Sequence, residues 1–263
     1  MQISGATVLL TGATGGIGHA IARELRGRGA ELILTGRRTD VLEPLAAELS
    51  ARALAIDLSD SAEVERLGVE AGEVDILVAN AALPGSGRLE TYTQEQIDRA
   101  LDVNLRSPIV LAHALLPGMV ARGRGHLLFV SSLQGKAATP GASLYCASKF
   151  GIRGFALGLR EDLHASGVGV STVFPGFIRD AGLFADSGAK LPPGVRTRAP
   201  KDVARAVVRA IERNRAEIDV APLPLRAGAI FAGLAPELAA NVSRRLGSEE
   251  IAHAVGSTQR DKR

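Results

Sequence analysis

Residues 6–18, A-T-V-L-L-T-G-A-T-G-G-I-G, run from an apolar, β-branched stretch straight into a cluster of glycines. Residues 6–11 read as a buried strand, and an apolar helical pattern over 16–28 follows. A strand, a glycine turn and a helix in that order can cradle phosphate. The glycines let the backbone approach a pyrophosphate, and the helix start offers N–H groups that have no intrahelical partner. By itself such a turn is often only a tight connection; between a first strand and a first helix it points to a dinucleotide. Gly12, Thr14, Gly15, Gly16, Ile17 and Gly18 are the candidate contacts.

Outward from this unit the same alternation recurs. Short apolar runs at 31–35, 52–56, 75–79, 126–131, 169–174 and 217–220 are separated by helical patterns at 39–49, 62–69, 94–105, 108–122, 144–165 and 201–213. Unbroken apolar runs suit parallel strands covered on both faces. The order implies an α/β protein with a doubly wound parallel sheet, one domain over 1–221, and ligands outside the carboxyl ends of the strands. Thr93 and Gln96 have capping-box spacing, and Ser107-Pro108 reads as an N-cap followed by proline, dividing two helices.

Two stretches lack this order. Residues 180–200 follow the sixth strand and should overhang the crevice as a lid, with Leu183, Phe184, Leu191 and Val195 as its apolar side chains. The C-terminal extension, 222–263, mixes prolines, an apolar patch at 227–235 and basic residues. Such a tail can pack on the core, join a subunit contact or touch a membrane surface.

At 263 residues and 46% hydrophobic, the chain can bury the core of one large domain. A net charge of +3 is spread over both signs, and 3% aromatics leave little to stack on bases, so nucleic acid is not an expected partner. The single cysteine, Cys146, excludes an internal disulfide and a cysteine-based zinc site. No apolar run approaches the roughly 20 residues of a transmembrane span, and the start shows no signal-peptide pattern; a cytoplasmic protein is expected.

Residues 129–150, F-V-S-S-L-Q-G-K-A-A-T-P-G-A-S-L-Y-C-A-S-K-F, carry the chemistry. A strand ends at Ser131-Ser132, a Gly/Pro loop follows, and Tyr145 and Lys149 share one helix face. A phenol with a pKa of about 10 is a poor acid-base group at neutral pH, and a neighbouring ammonium would lower that value. Ser132 offers a hydroxyl to hold a substrate oxygen against the phenol. Elsewhere such a pair is usually a half-buried ring beside a solvated cation, so its weight comes from the surrounding fold.

The second strand ends in Thr35-Gly36-Arg37-Arg38. An acidic residue at this point would accept from ribose hydroxyls and repel a 2′-phosphate. Gly36 removes it, and Arg37 and Arg38 can pair with phosphate, which favours NADP(H) over NAD(H). Asp57, followed by Leu58, comes after the third strand, where it could accept from the adenine amino group. Asn80-Ala81-Ala82 ends the fourth with small residues beside the nucleotide.

Together these pieces resemble the short-chain dehydrogenase/reductase family over about residues 4 to 221. T-G-x-x-x-G-x-G at 11–18 is similar to the family's cofactor loop, and A-N-A-A at 79–82 to its N-N-A-G element. Asn104 matches its active-site asparagine, Ser132 with Tyr145-x-x-x-Lys149 its catalytic set, and Pro175-Gly176 its P-G turn. The resemblance implies a Rossmann fold and a metal-free enzyme that passes hydride between a nicotinamide and a carbonyl or secondary alcohol. Tyr145 would exchange a proton with the substrate oxygen, and Lys149 would lower the tyrosine pKa and bind the nicotinamide ribose. Ser132 would hold the substrate, and Asn104 would order a water leading to solvent. Pro175, Gly176 and Ile178 would border the nicotinamide. A small, apolar substrate is expected. So is a homodimer or homotetramer through the helices at 94–105 and 108–122, with Leu111, Leu115 and Met119 either in that contact or in the core.

A sensor or scaffold that binds the dinucleotide without turnover, or epimerisation at the same site, are the alternatives. The chain departs from the family's pattern at Ala79, Ala82, Gly15 (no basic residue in the loop) and Asp180, where a threonine is common. Asp180 can accept from a carboxamide NH2 but cannot donate to its oxygen. Arg88 and Arg179 could meet an anionic substrate, or simply be solvated.

Overall fold

The computed structural model describes residues 1–185, 188 and 195–245. Seven strands make one parallel sheet in the order β3-β2-β1-β4-β5-β6-β7. They are β1 (Thr7–Leu10), β2 (Glu31–Gly36), β3 (Arg52–Ala55), β4 (Ile76–Ala79), β5 (Gly125–Val130), β6 (Val168–Pro175) and β7 (Glu217–Val220). Consecutive strands are joined through helices, so the doubly wound architecture is as expected.

Alternation along each strand divides the core. Val8 and Leu10 of β1 point to one face, against α1 (Gly16–Gly27), α2 (Thr39–Leu49) and α8 (Pro200–Arg213). Leu9 points to the other, against α3 (Ser61–Glu70), α5 (Ser107–Ala121) and α6 (Ser143–Asp162). All three β1 side chains are fully buried, each contributing about 1.5–3 kcal/mol of burial. The order reverses between β1 and β4, and the crevice opens there, at the carboxyl ends of the strands.

The expected break at Ser107-Pro108 is absent. α4 (Gln94–Leu101), a π turn (Asp102–Arg106) and α5 run as one rod. Ser107 is not an N-cap: its backbone is helical (φ −60°, ψ −44°) and its buried hydroxyl donates to the Leu58 carbonyl. Pro108 has no N–H to send to the carbonyl of Asn104, and the wider π turn accommodates that missing bond. Thr93 and Gln96 do form the capping box, each backbone N–H donating to the other's side chain (3.1 and 3.3 Å). The 28-residue rod Gln94–Ala121 is long and apolar enough by composition to cross a membrane. Leu111, Leu115 and Met119 are nevertheless buried with the sheet residues Leu77 and Leu127, as in a core helix.

Part of the segment 180–200 lies outside the described residues, Leu191 included. What is described holds a single short helix, α7 (Gly182–Ala185), and a bridge from Ile178 to Arg198 that closes its base. Beyond β7 the tail forms α9 (Leu223–Leu234) and α10 (Pro236–Arg245), which pack on each other; 246–263 lie outside the described residues.

Candidate active site

The turn after β1 is built from contacts that only glycine allows. Gly12 has φ +65°, and a Cβ there would lie 2.7 Å from the Ala81 Cα; a Cβ at Gly18 would lie 2.2 Å from the Gly12 carbonyl oxygen. Thr11, buried at the end of the strand, is the residue that sequence reasoning passed over. Its hydroxyl accepts from the N–H groups of Asn80 (3.1 Å) and Ala81 (3.2 Å). The Asn80 amide donates to the Thr11 and Gly12 carbonyls, both at 3.1 Å. Asn80 therefore holds the shape of the turn, and its side chain is committed to that.

α1 starts at Gly16 behind an extended Gly15, with no side chain capping its first N–H groups. Open amides and a glycine cradle fit a pyrophosphate. The start of the lid reaches this same place. Asp180 adopts φ +67°, which lays Ala181 so close to Gly16 that a Cβ there would be 2.4 Å away, and Gly182 against Ile17. The Asp180 carboxylate is largely exposed and pairs with Arg179 at 3.4 Å, while Arg88 pairs with Glu90.

At the adenosine end a Cβ at Gly36 would lie 2.6 Å from the Thr14 side chain, so Thr14 crowds the space an acidic residue there would need. Arg37 sits 3.7 Å from Asp57, and Arg38 donates to the Thr14 carbonyl across the turn. Asp57 also accepts from the Ser59 N–H (3.0 Å) and hydroxyl (2.8 Å). Burial pushes its carboxyl up, but Ser59, Arg37 and Arg99 together bring it below the ordinary value. Arg99, on α4, was not anticipated; only the tertiary fold brings it here.

At the other end stand Ser132, Tyr145 and Lys149. The Ser132 hydroxyl accepts from the Gln134 N–H at 3.2 Å and also contacts the phenol of Tyr145. Lys149 is buried, donates to the Val130 carbonyl at 3.2 Å, and lies 5.4 Å from the Tyr145 ring centre. The expected lowering of the phenol pKa is not found. Burial pushes Tyr145 up to about 12, against the pull of the Ser132 hydrogen bond, and lowers Lys149 to about 8. Withdrawal from water disfavours the phenolate and the ammonium alike, and this outweighs the neighbouring dipole.

Asn104 is placed differently from the rest. It is buried in the π turn, and both ends of its amide are bound to Leu83: the Leu83 N–H donates to Oδ1 (2.7 Å) and Nδ2 donates to the Leu83 carbonyl (3.0 Å). The other expected contacts, from Gly12 to Leu58, Ala81 and Ala82 to Pro175, Gly176 and Ile178, line one crevice of about 1730 Å³ with Ser132, Tyr145 and Lys149. Pro224, Ala229 and Phe231 of α9 and Ala239 of α10 extend its apolar wall.

A parallel doubly wound sheet with a glycine cradle at its switch point and a serine, tyrosine and lysine farther along the same crevice defines the class of Rossmann-fold, nicotinamide dinucleotide-binding oxidoreductases. The model of the family described as short chain dehydrogenase matches residues 6–191, and the chain belongs to the short-chain dehydrogenase/reductase family, whose members act on CH–OH or C=O groups. A ketoacyl reductase, HetN, from a Nostoc species is 32% identical over 85% of this chain and 81% of its own. A short-chain dehydrogenase from Sphingobium yanoikuyae, solved in complex with NADPH, superposes with a TM-score of 0.76 at 28% identity, covering 92% of this chain and 94% of that one. A 3-ketoacyl-(acyl-carrier-protein) reductase from Brucella melitensis, solved with NADH, gives 0.74 at 27% identity, covering 83% and 97%.

Proposed function

We propose that this protein is an NADP(H)-dependent reductase of apolar carbonyl compounds, with Tyr145 as the proton donor. The observation that carries this reading is the placement of Ser132, Tyr145 and Lys149 along the same dinucleotide-sized crevice whose other end is the glycine cradle. A protonated phenol is the form that can give a proton to a carbonyl oxygen as it gains negative charge. Bound in the crevice, the nicotinamide dinucleotide would supply the hydride. Ser132 would donate to the same carbonyl oxygen and orient it toward the phenol. Lys149, on the Tyr145 face of α6, would offset the negative charge left on the phenol and reach the nicotinamide ribose. Asn104, whose amide is held by Leu83, would order a water that returns protons to this pair.

Arg37 and Arg38 support the phosphate-bearing cofactor, since nothing acidic at Gly36 opposes it. The apolar walls of lid and tail support an apolar substrate. A self-associated state is supported by α6: Phe150 and Leu157 are exposed, and Gly154 and Gly158 face open space on the same side.

Tyr145→Phe tests the assignment. NADPH binding, followed by fluorescence, should be unchanged, while turnover of a panel of ketones of increasing chain length should drop by about 10²–10⁴-fold. A variant as active as the wild type would remove the mechanism. Cofactor binding without turnover of any carbonyl compound by the wild type would point to the sensor reading.

A further inference from the structure

Five charged side chains outside the crevice form one network that the proposed chemistry does not use. Lys136 lies 2.8 Å from Glu217 and 2.7 Å from Asp219, both on β7. Arg153 lies 2.7 Å from Glu217, and Arg226 of α9 lies 3.8 Å from Asp219. Lys136, Glu217 and Asp219 are buried to 11%, 21% and 10% side-chain exposure, so solvent screens these pairs less than it would surface pairs. Lys136 Nζ also sits 4.1 Å from the centre of the Phe174 ring.

The placement of the two cations connects the network to the site. Lys136 closes the tight turn that begins at Ser132: the Gly135 N–H donates to the Ser132 carbonyl (2.8 Å), and the Lys136 N–H to the Leu133 carbonyl (2.9 Å). Arg153 is one helical turn beyond Lys149 on α6. Between them the turn is pressed on the helix, because a Cβ at Gly135 would lie 2.6 Å from the Lys149 carbonyl oxygen, which accepts from the Ser131 hydroxyl at 3.1 Å. One carboxylate, that of Glu217, is thus shared by a cation from the Ser132 turn and a cation from the Tyr145–Lys149 helix.

We infer that Lys136 is a positioning residue, fixing the Ser132 turn relative to the Tyr145–Lys149 face of α6 through Glu217 and Asp219 on β7. The inference rests on the reductase reading above, since it assigns Lys136 a part in holding those three groups in register. Deleting Lys136 leaves Glu217 paired with Arg153 and Asp219 with Arg226, so no carboxylate is stranded in the interior and the fold should survive. What is lost is the tether on the turn, and sub-ångström drift of Ser132 away from the phenol slows proton transfer without touching the cofactor cradle.

The test compares Lys136→Met, Lys136→Arg and Glu217→Gln with the wild type on the best ketone of the panel. Lys136→Met should lower kcat at least about tenfold, with the NADPH Kd within about twofold of wild type, and Lys136→Arg should recover most of the loss. Glu217→Gln, which keeps shape and removes charge, should lower kcat in the same sense and serves if Lys136→Met folds poorly. An unchanged kcat in Lys136→Met, a loss of NADPH affinity matching the loss of kcat, or failure of arginine to restore the rate would each overturn the inference. A wild type that reduces no carbonyl compound would end the functional reading and this one together, whereas an active wild type with an equally active Lys136→Met ends this one alone.

Discussion

Arg37 is a residue with two competing partners. It pairs with Asp57 at 3.7 Å, with both side chains more than a third exposed, so the pair is weak and easily exchanged for a phosphate. A doubly charged 2′-phosphate is a stronger partner than one solvated carboxylate. Arg37→Ala is therefore expected to weaken NADPH binding about tenfold or more and leave NADH within a few-fold, measured by titrating both cofactors. Equal NADPH affinity in the variant would mean that Arg38, anchored on the Thr14 carbonyl, does the recognition without it. At this scale the sequence was a good guide to which residues meet and a poor one to what each side chain does. Asn80 was expected beside the cofactor and does line the crevice, and Asn104 was expected to order a water; what spacing did not show is that their amides brace the glycine turn and Leu83. Their partners are backbone atoms from remote strands and loops, which spacing along the chain does not reveal.

At the scale of elements, β5 and β6 meet around a buried histidine. His126 contacts the Ser171 hydroxyl at 2.9 Å, and its pKa is lowered to about 3, chiefly by burial, then by the chain's N-terminus and Arg160. The folded protein thus keeps this ring neutral, while the unfolded chain takes up a proton below about pH 6.5. Stability from this residue is complete above about pH 6.5 and falls by ~1.4 kcal/mol per unit as pH drops toward 3. Denaturant unfolding at pH 7 and pH 5 should differ by about 2 kcal/mol more in the wild type than in His126→Phe. An identical difference in both proteins would exclude His126 as the source. The helical rod is the element that sequence reading divided in error. Ser-Pro is a sound start signal, but here the π turn absorbs the missing N–H and the helix continues through it.

At the scale of the molecule, the exposed stripe on α6 is the feature a single chain leaves unexplained. Phe150 is 41% and Leu157 39% exposed, beside two glycines that allow close helix approach. A symmetric contact there would pair the helix with its copy. Light scattering should find a dimer or tetramer, and Phe150→Asp with Leu157→Asp should shift it to monomer; a wild-type monomer at micromolar concentration would refute the contact. α9 shows the same scale from another side: apolar around most of its circumference, it walls the crevice on one face and leaves Leu223, Ile230 and Leu234 exposed on the other. The local pattern marked the patch as needing cover, without saying which side would receive it.

Apolar periodicity, glycine placement and the spacing of Ser132, Tyr145 and Lys149 were enough to establish the sheet, its winding and the location of the crevice, because those properties follow from local conformational preference and strand burial. The burial that shifts Tyr145 and Lys149, the bracing by Thr11 and Asn80, the closure of the lid base over α1 and the ion pairs around Glu217 were decided only in three dimensions. Each depends on how much water is excluded, or on which backbone group arrives from a distant segment, and neither quantity is written in the order of residues.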